Sequence, residues 1–243
     1  MCTVTFIPFE HTIYITHNRD EKVMRKAARP PKLYHVHSNW LLFPKDGEAG
    51  GSWIGVNQNG HAGVLLNGAF HKHIPASCYR KSRGLVFLEI LSSANIHHGY
   101  YDCDLTDIEP FTVILWDGKQ LAEYRWDGNK KYTRELSPKK PHIWSSSTLY
   151  DESVAASRNS WFEEWLTDHP SPSPEDILKF HSEGGEGDLH NDLRINRDDL
   201  LVTLSTTCIE MTNEKAVMKY IDLADDSVHM QELLFLKAPV NSR

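Results

Sequence analysis

Apolar and polar positions alternate, or run together in short blocks, across most of the first two thirds of the chain and again near its end, which is the strand period rather than the helical one. Residues 3–7 and 12–16 are β-prone runs separated by Pro8-Phe9-Glu10-His11, and predict an antiparallel hairpin at the start. Residues 51–56 and 61–66 flank Gln58-Asn59-Gly60, where Asn-Gly between apolar runs signals a second hairpin because both residues tolerate positive φ. Residues 111–116, 121–126 and 131–136, joined at Asp117-Gly118 and Asp127-Gly128, predict a three-strand meander. Late strands are expected at 200–209, 215–223 and 229–236.

Helical patterning is confined to three segments. Residues 82–92 carry Leu85, Val86, Leu88, Ile90 and Leu91 nearly all round, as in a helix pressed between other layers. Residues 151–167 place Val154, Trp161, Phe162 and Trp165 on one face, with Asp151 as N-cap and Pro170 beyond the end. Residues 174–181 begin with a proline in the first turn. Runs of strands interrupted by helix blocks predict α+β layering rather than alternating βαβ units. No repeat period is visible, and one domain spanning residues 1–243 is the simplest organisation. Residues 182–199, with Gly184-Gly185-Glu186-Gly187 and many acidic side chains, are expected to form a mobile surface loop, either a lid or a plain solvated connection.

Composition narrows the function classes. The net charge of −7, with no lysine or arginine cluster to offset it, excludes nucleic acid and anionic membrane surfaces as expected partners and leaves small molecules or proteins. No apolar run approaches the ~20 residues of a membrane span, and no basic segment precedes an apolar one at the start, so the expected compartment is the cytoplasm. The four cysteines, at 2, 78, 103 and 208, show neither CxxC spacing nor a disulfide framework, and fit a reducing compartment. Of the 14 histidines, His35/His37, His71/His73 and His97/His98 are close pairs, but no HExxH or Cys/His set accompanies them, and they are read as surface or loop residues. No metal and no cofactor is expected. The glycines at 184, 185 and 187 neither follow a strand nor precede a Walker lysine, which argues against a phosphate cradle.

The candidate chemistry lies at the start. Cys2 follows Met1 directly, and aminopeptidases trim a methionine that precedes a small residue, so the mature chain would begin with a cysteine holding both a thiol and a free amine. A thiol, with an unperturbed pKa near 8.5, is nucleophilic as thiolate and needs a base or cation nearby. An α-amine, titrating at about 7.7–8.0, suits the task of accepting that proton and returning it to a leaving group. The first hairpin would bring Arg19 and Asp20 back beside Cys2, the arginine favouring thiolate and the aspartate holding the ammonium. The alternative is a small apolar cysteine in a first strand, with Arg19 and Asp20 paired in a turn.

Met1-Cys2-Thr3, Asn18-Arg19-Asp20-Glu21, Gly50-Gly51-Ser52-Trp53-Ile54-Gly55-Val56, Leu66-Asn67-Gly68, Trp144-Ser145-Ser146-Ser147-Thr148-Leu149 and Val202-Thr203-Leu204-Ser205-Thr206-Thr207 together resemble the NRDE family, also called the transport and Golgi organisation protein 2 family. That family is similar in pattern to the cysteine branch of the N-terminal-nucleophile (Ntn) hydrolases, which includes bile salt hydrolases and penicillin V acylases. The resemblance implies a four-layer αββα sandwich of two mostly antiparallel sheets and hydrolysis of a linear amide. It implies catalytic roles for Cys2, Arg19 and Asp20, and an oxyanion hole built from the backbone N–H after Asn67, at Gly68, and a side chain at a strand end. At that strand end the relatives often read Leu-Ser-Asn, whereas this chain reads Trp144-Ser145-Ser146, so the Ser146 hydroxyl would replace an amide, or simply cap its own strand. The late arginine of the acylases has no match; its strand offers Ser205, Thr206 and Thr207. Asn18, Glu21, Trp53 and Ser205 are candidate binding residues around the same point. Members of the family in eukaryotes are associated with secretory organisation, lipid handling and haem trafficking, so a non-catalytic carrier of an acyl or haem-like ligand is the other function class that the resemblance supports.

Overall fold

The computed structural model describes residues 2–236, without the side chain of Cys2. The predicted first hairpin is present and longer than expected: β1 (Cys2–Phe9) pairs antiparallel with β2 (Thr12–Lys22) through eight register positions, from Phe9 opposite Thr12 to Cys2 opposite Arg19. Two strands that the pattern did not predict follow, β3 (Arg29–Val36) and β4 (Asn39–Lys45). Pro30 and Pro31 hide β3, because proline cannot donate to a ladder; it is tolerated here because β3 lies at a sheet edge and its register shifts between Arg29 and Lys32.

β5 (Ile54–Asn57) and β6 (Ala62–Asn67) form the second hairpin, turning at Gly60 with φ +78°. β7 (Phe111–Trp116), β8 (Leu121–Trp126) and β9 (Lys131–Leu136) form the meander. These complete a seven-stranded sheet ordered β3-β4-β5-β6-β7-β8-β9. The other sheet adds β10 (His142–Ser145), β11 (Asn196–Arg197), β12 (Leu201–Met211), β13 (Lys215–Asp222) and β14 (Val228–Leu234) to the first hairpin, in the order β10-β1-β2-β12-β13-β14 with β11 on β12.

Three helices form where the pattern placed them. α1 (Arg83–Leu91) is capped by Ser82, and a short α2 (Ile96–Asp102) that the pattern did not predict follows from an Asn95 cap. α3 (Glu152–Asp168) starts at the Asp151 cap, and α4 (Pro174–Glu183) at a capping box of Ser173 and Asp176. Strand alternation sorts the core into three layers. Val4, Phe6, Ile15, Ile209 and Met218 from one sheet meet Leu42, Val56, Val64 and Ile114 from the other. The outer face of the second sheet packs Phe43, Leu65 and Val113 against Phe87, Ile90 and Tyr100 of α1 and α2. Ile7, Tyr14 and Cys208 on the outer face of the first sheet meet Phe162, Ile177 and Phe180 of α3 and α4. The result is an αββα sandwich.

Burying both faces of β1 and β2 imposes a rule on the polar residues they carry: each needs a partner. It also reverses the expectation for residues 182–199. Leu193 and Ile195 are buried, and the carbonyls of Asn191, Asp192 and Leu193 accept hydrogen bonds from Arg158 and Asn18, so this connection is anchored to the outer face of the first sheet rather than loose over a cleft.

Candidate active site

Alternation along β2 divides the Asn18-Arg19-Asp20-Glu21 run between two faces. Arg19, opposite Cys2 in the ladder, faces the second sheet together with Glu21. Its Nη2 donates to Asp46 Oδ2 at 2.6 Å, and its guanidinium lies 4.3 Å from the centre of the Trp53 ring. Burial pushes the Asp46 carboxyl up, but hydrogen bonds from Arg25 and the Ala49 N–H, with the charges of Arg25 and Arg19, outweigh it and leave the group below its ordinary range. The pair thus fixes an oriented cation across the ladder from position 2.

Asn18 and Asp20 face the helices. Asn18 donates to the carbonyls of His181 and Leu193 at 2.7 and 2.8 Å and accepts from Thr206, so it clamps α4 and the 184–195 connection to the sheet and stands away from the cleft, contrary to the binding role expected for it. Asp20 is fully buried, accepting from Tyr150 Oη on one oxygen and Thr203 Oγ1 on the other, each at 2.7 Å. Burial raises its pKa, opposed by those two hydrogen bonds and the charge of Arg158. The turn ion pair between Arg19 and Asp20 does not form. The single-residue step between them sets a cation on one face of the ladder end and a carboxylate on the other.

A cleft of about 390 Å³ opens beside Arg19, lined also by Glu21, Asp46, Trp53, Asn67, Arg83 and Glu109. Arg83 is paired with Glu109 at 2.9 Å, and burial lowers its pKa. Trp53 and Glu21, two of the expected binding residues, line this cleft. Ser205 is buried opposite Arg19 in the β2–β12 ladder, just past a register shift. With His17, Thr207 and the Trp53 indole N–H it contributes to a set of buried polar atoms that lack partners among the described residues.

A second cleft, of about 750 Å³, has a wall that includes Phe70, Lys72, Arg125, Ser147, Tyr150 and Arg197. Gly68 has φ +81°, and a Cβ there would meet Ser147 Oγ at 2.5 Å and Thr148 Cγ2 at 2.7 Å, so only glycine fits. Two expected oxyanion donors are already occupied. The Gly68 N–H donates to the Pro110 carbonyl at 3.0 Å. Ser146, fully buried, donates to the Asn67 carbonyl at 2.8 Å, tying the end of β10 to the end of β6, and so does not present its hydroxyl to a substrate.

Sequence reasoning missed Asp46, Tyr150, Arg158 and Thr203. The guanidinia of Arg158 and Arg197 lie 3.6 and 5.3 Å from the centre of the Tyr150 ring, and burial with the charge of Asp20 raises the Tyr150 pKa well above the ordinary value. None of the four lies near the Asn18–Glu21 run in sequence, and the fold alone brings them together. His97, expected at the surface, is buried, with Nδ1 2.7 Å from Tyr124 Oη.

His181, 2.9 Å from Thr5 Oγ1, supplies a test of this buried layer. Burial, with the charge of Arg158, lowers its pKa to about 3. The unfolded chain takes up the proton near 6.5 while the folded chain refuses it, so the stability this ring contributes is complete above that pH and is lost as pH falls toward 3. His181→Gln is expected to remove about 1.4 kcal/mol per pH unit from the slope of stability below pH 6.5, read from urea midpoints across pH. Identical slopes in the two proteins would show that the ring protonates in the folded state.

Two seven-stranded antiparallel sheets between helical layers form a sandwich with the Ntn-hydrolase-like fold. A conjugated bile acid hydrolase variant from Clostridium perfringens superposes with a TM-score of 0.60 at 11% identity, over 99% of this chain and 100% of that one. A Caenorhabditis elegans ortholog of N-acylethanolamine-hydrolyzing acid amidase also gives 0.60, at 10% identity over 86% and 92% of the two chains. No curated protein matches by sequence. The family model for Transport and Golgi organisation 2 matches residues 1–221, and the chain belongs to that family.

Proposed function

We propose that the protein is a cysteine amidohydrolase of the Ntn type that acts on a linear N-acyl amide, with Cys2 as nucleophile once Met1 is removed. The observation that carries the reading is the ladder end itself: Arg19 opposite Cys2, and the buried Asp20 one residue further on the reverse face. Arg19 favours the thiolate, Asp20 holds the α-ammonium, and the amine relays the proton from thiol to leaving group. Of the two solved structures of like fold, one is a conjugated bile acid hydrolase by name and the other an ortholog of an N-acylethanolamine-hydrolyzing acid amidase, and the two clefts would offer separate room for the acyl and amine parts of a substrate.

The test begins with intact mass. Native protein is expected to lack Met1 and to release amine from a panel of N-acyl amides; retained Met1 in native material sinks the mechanism. One observation favours a non-catalytic carrier of an acyl or haem-like ligand instead: the Gly68 N–H and the Ser146 hydroxyl are already bonded within the protein. Haem titration, followed by a Soret shift, addresses that reading. A saturable shift without amide turnover would favour the carrier.

A further inference from the structure

Three consecutive serines run from the last residue of β10 into the segment after it, and the structure separates their roles. Ser145 lies opposite Thr3, and the antiparallel register carries Ser146 and Ser147 onward past the start of β1. Ser146 is spent on the Asn67 carbonyl. Ser147 is different: its hydroxyl is buried and has no hydrogen-bond partner among the described residues. The same side chain forms part of the wall of the second cleft and lies against Gly68, where any side chain would collide with it. A buried hydroxyl left unpaired costs about 1–3 kcal/mol, so a position that keeps one beside a cleft calls for a ligand that completes it.

We propose that Ser147 Oγ is the side-chain oxyanion donor of this enzyme, in the space that the glycine at 68 leaves open and in the role expected of Ser146. The inference rests on the amidohydrolase reading. The Cys2 thiolate forms a C–S bond to the amide carbon, and the carbonyl π pair moves to the oxygen. The Ser147 O–H donates a hydrogen bond to that oxygen without giving up its proton. When the carbonyl re-forms, the C–N bond breaks and the nitrogen takes the proton held by the α-amine, leaving an acyl thioester on Cys2. A hydroxyl suits this site because its hydrogen rotates to follow the oxygen as charge develops.

Two reactions of the same thiol separate the outcomes. Acylation by a p-nitrophenyl ester passes through a tetrahedral oxyanion, whereas alkylation by iodoacetamide displaces iodide and forms none. Both are followed by mass at the N-terminal peptide of Met1-free protein. Ser147→Ala is expected to slow acylation about 10²- to 10³-fold and to leave the alkylation rate within twofold. Equal acylation rates in wild type and variant overturn the inference while the nucleophile reading stands. A parallel fall in both rates assigns Ser147 a merely structural role and also overturns it. No acylation in the wild type removes the reading and the inference together.

Discussion

Cys2→Ala is expected to abolish amide hydrolysis and covalent acylation while leaving the fold and ligand affinity intact. Where a nucleophile, its base and its orienting groups act as a unit, deleting the nucleophile alone costs about 10⁶ in kcat, or about 8 kcal/mol of barrier, nearly as much as deleting the whole set. The prediction is that large because Arg19 and Asp20 have no chemistry of their own to fall back on. One is a fixed cation held by Asp46 and Trp53, the other a buried carboxylate held by Tyr150 and Thr203. Cys2→Ser keeps the amine but substitutes a hydroxyl that is scarcely ionised near neutrality, and is expected to fall almost as far. Steady-state hydrolysis of an N-acyl amide, with intact mass as the check for an acyl adduct, measures both variants. A Cys2→Ala protein that keeps more than about a hundredth of wild-type turnover would place the nucleophile elsewhere. Haem or acyl binding that survives in the variant is compatible with either function, so turnover is the deciding readout.

What the chain disclosed before its structure follows from the range of the signals. Hairpins closed by Asn59-Gly60 or by Asp-Gly pairs, and helices that start at Ser82, Asp151 and Ser173, are local and legible in order along the sequence. β3 was hidden because a proline pair is an edge-strand feature only once the edge is known. β4 was hidden because Trp40-Leu41-Leu42-Phe43 is an apolar run whose period cannot distinguish strand from helix. At the candidate site, the run from Asn18 to Glu21 falls on β2, and strand alternation puts only Arg19 and Glu21 in the cleft. The choice among Ser145, Ser146 and Ser147 depends on which hydroxyl meets the Asn67 carbonyl, a contact between residues 79 positions apart. Asp46, Tyr150 and Arg158 are legible only after folding for the same reason.

Arg158 links the fold to that chemistry, and Arg158→Met is expected to be the most destabilising single change on the helical side of the first sheet. The side chain is fully buried on α3. Its guanidinium donates to Thr3 Oγ1 and to the carbonyls of Asn191 and Asp192, and lies 3.6 Å from the centre of the Tyr150 ring. Methionine fills much of the volume but leaves two carbonyls and a hydroxyl in a dry layer without donors, at roughly 1–3 kcal/mol each before relaxation. Allowing for water entering the gap, a loss of about 4 kcal/mol follows, or about 10 °C in Tm for a chain of this size. Arg158→Lys keeps one charge-assisted bond but not the planar fork, and is expected to recover less than half of the loss. The effect reaches the site through Tyr150, which packs on Arg158 and donates to Asp20. In Arg158→Met that phenol loses its support, so hydrolysis is expected to fall even at temperatures where the variant is fully folded. Thermal melts paired with kcat measured at least 15 °C below the variant's Tm separate the two losses. Unchanged kcat in the folded variant would mean that Asp20 is held by Thr203 and Tyr150 without help from the helix layer.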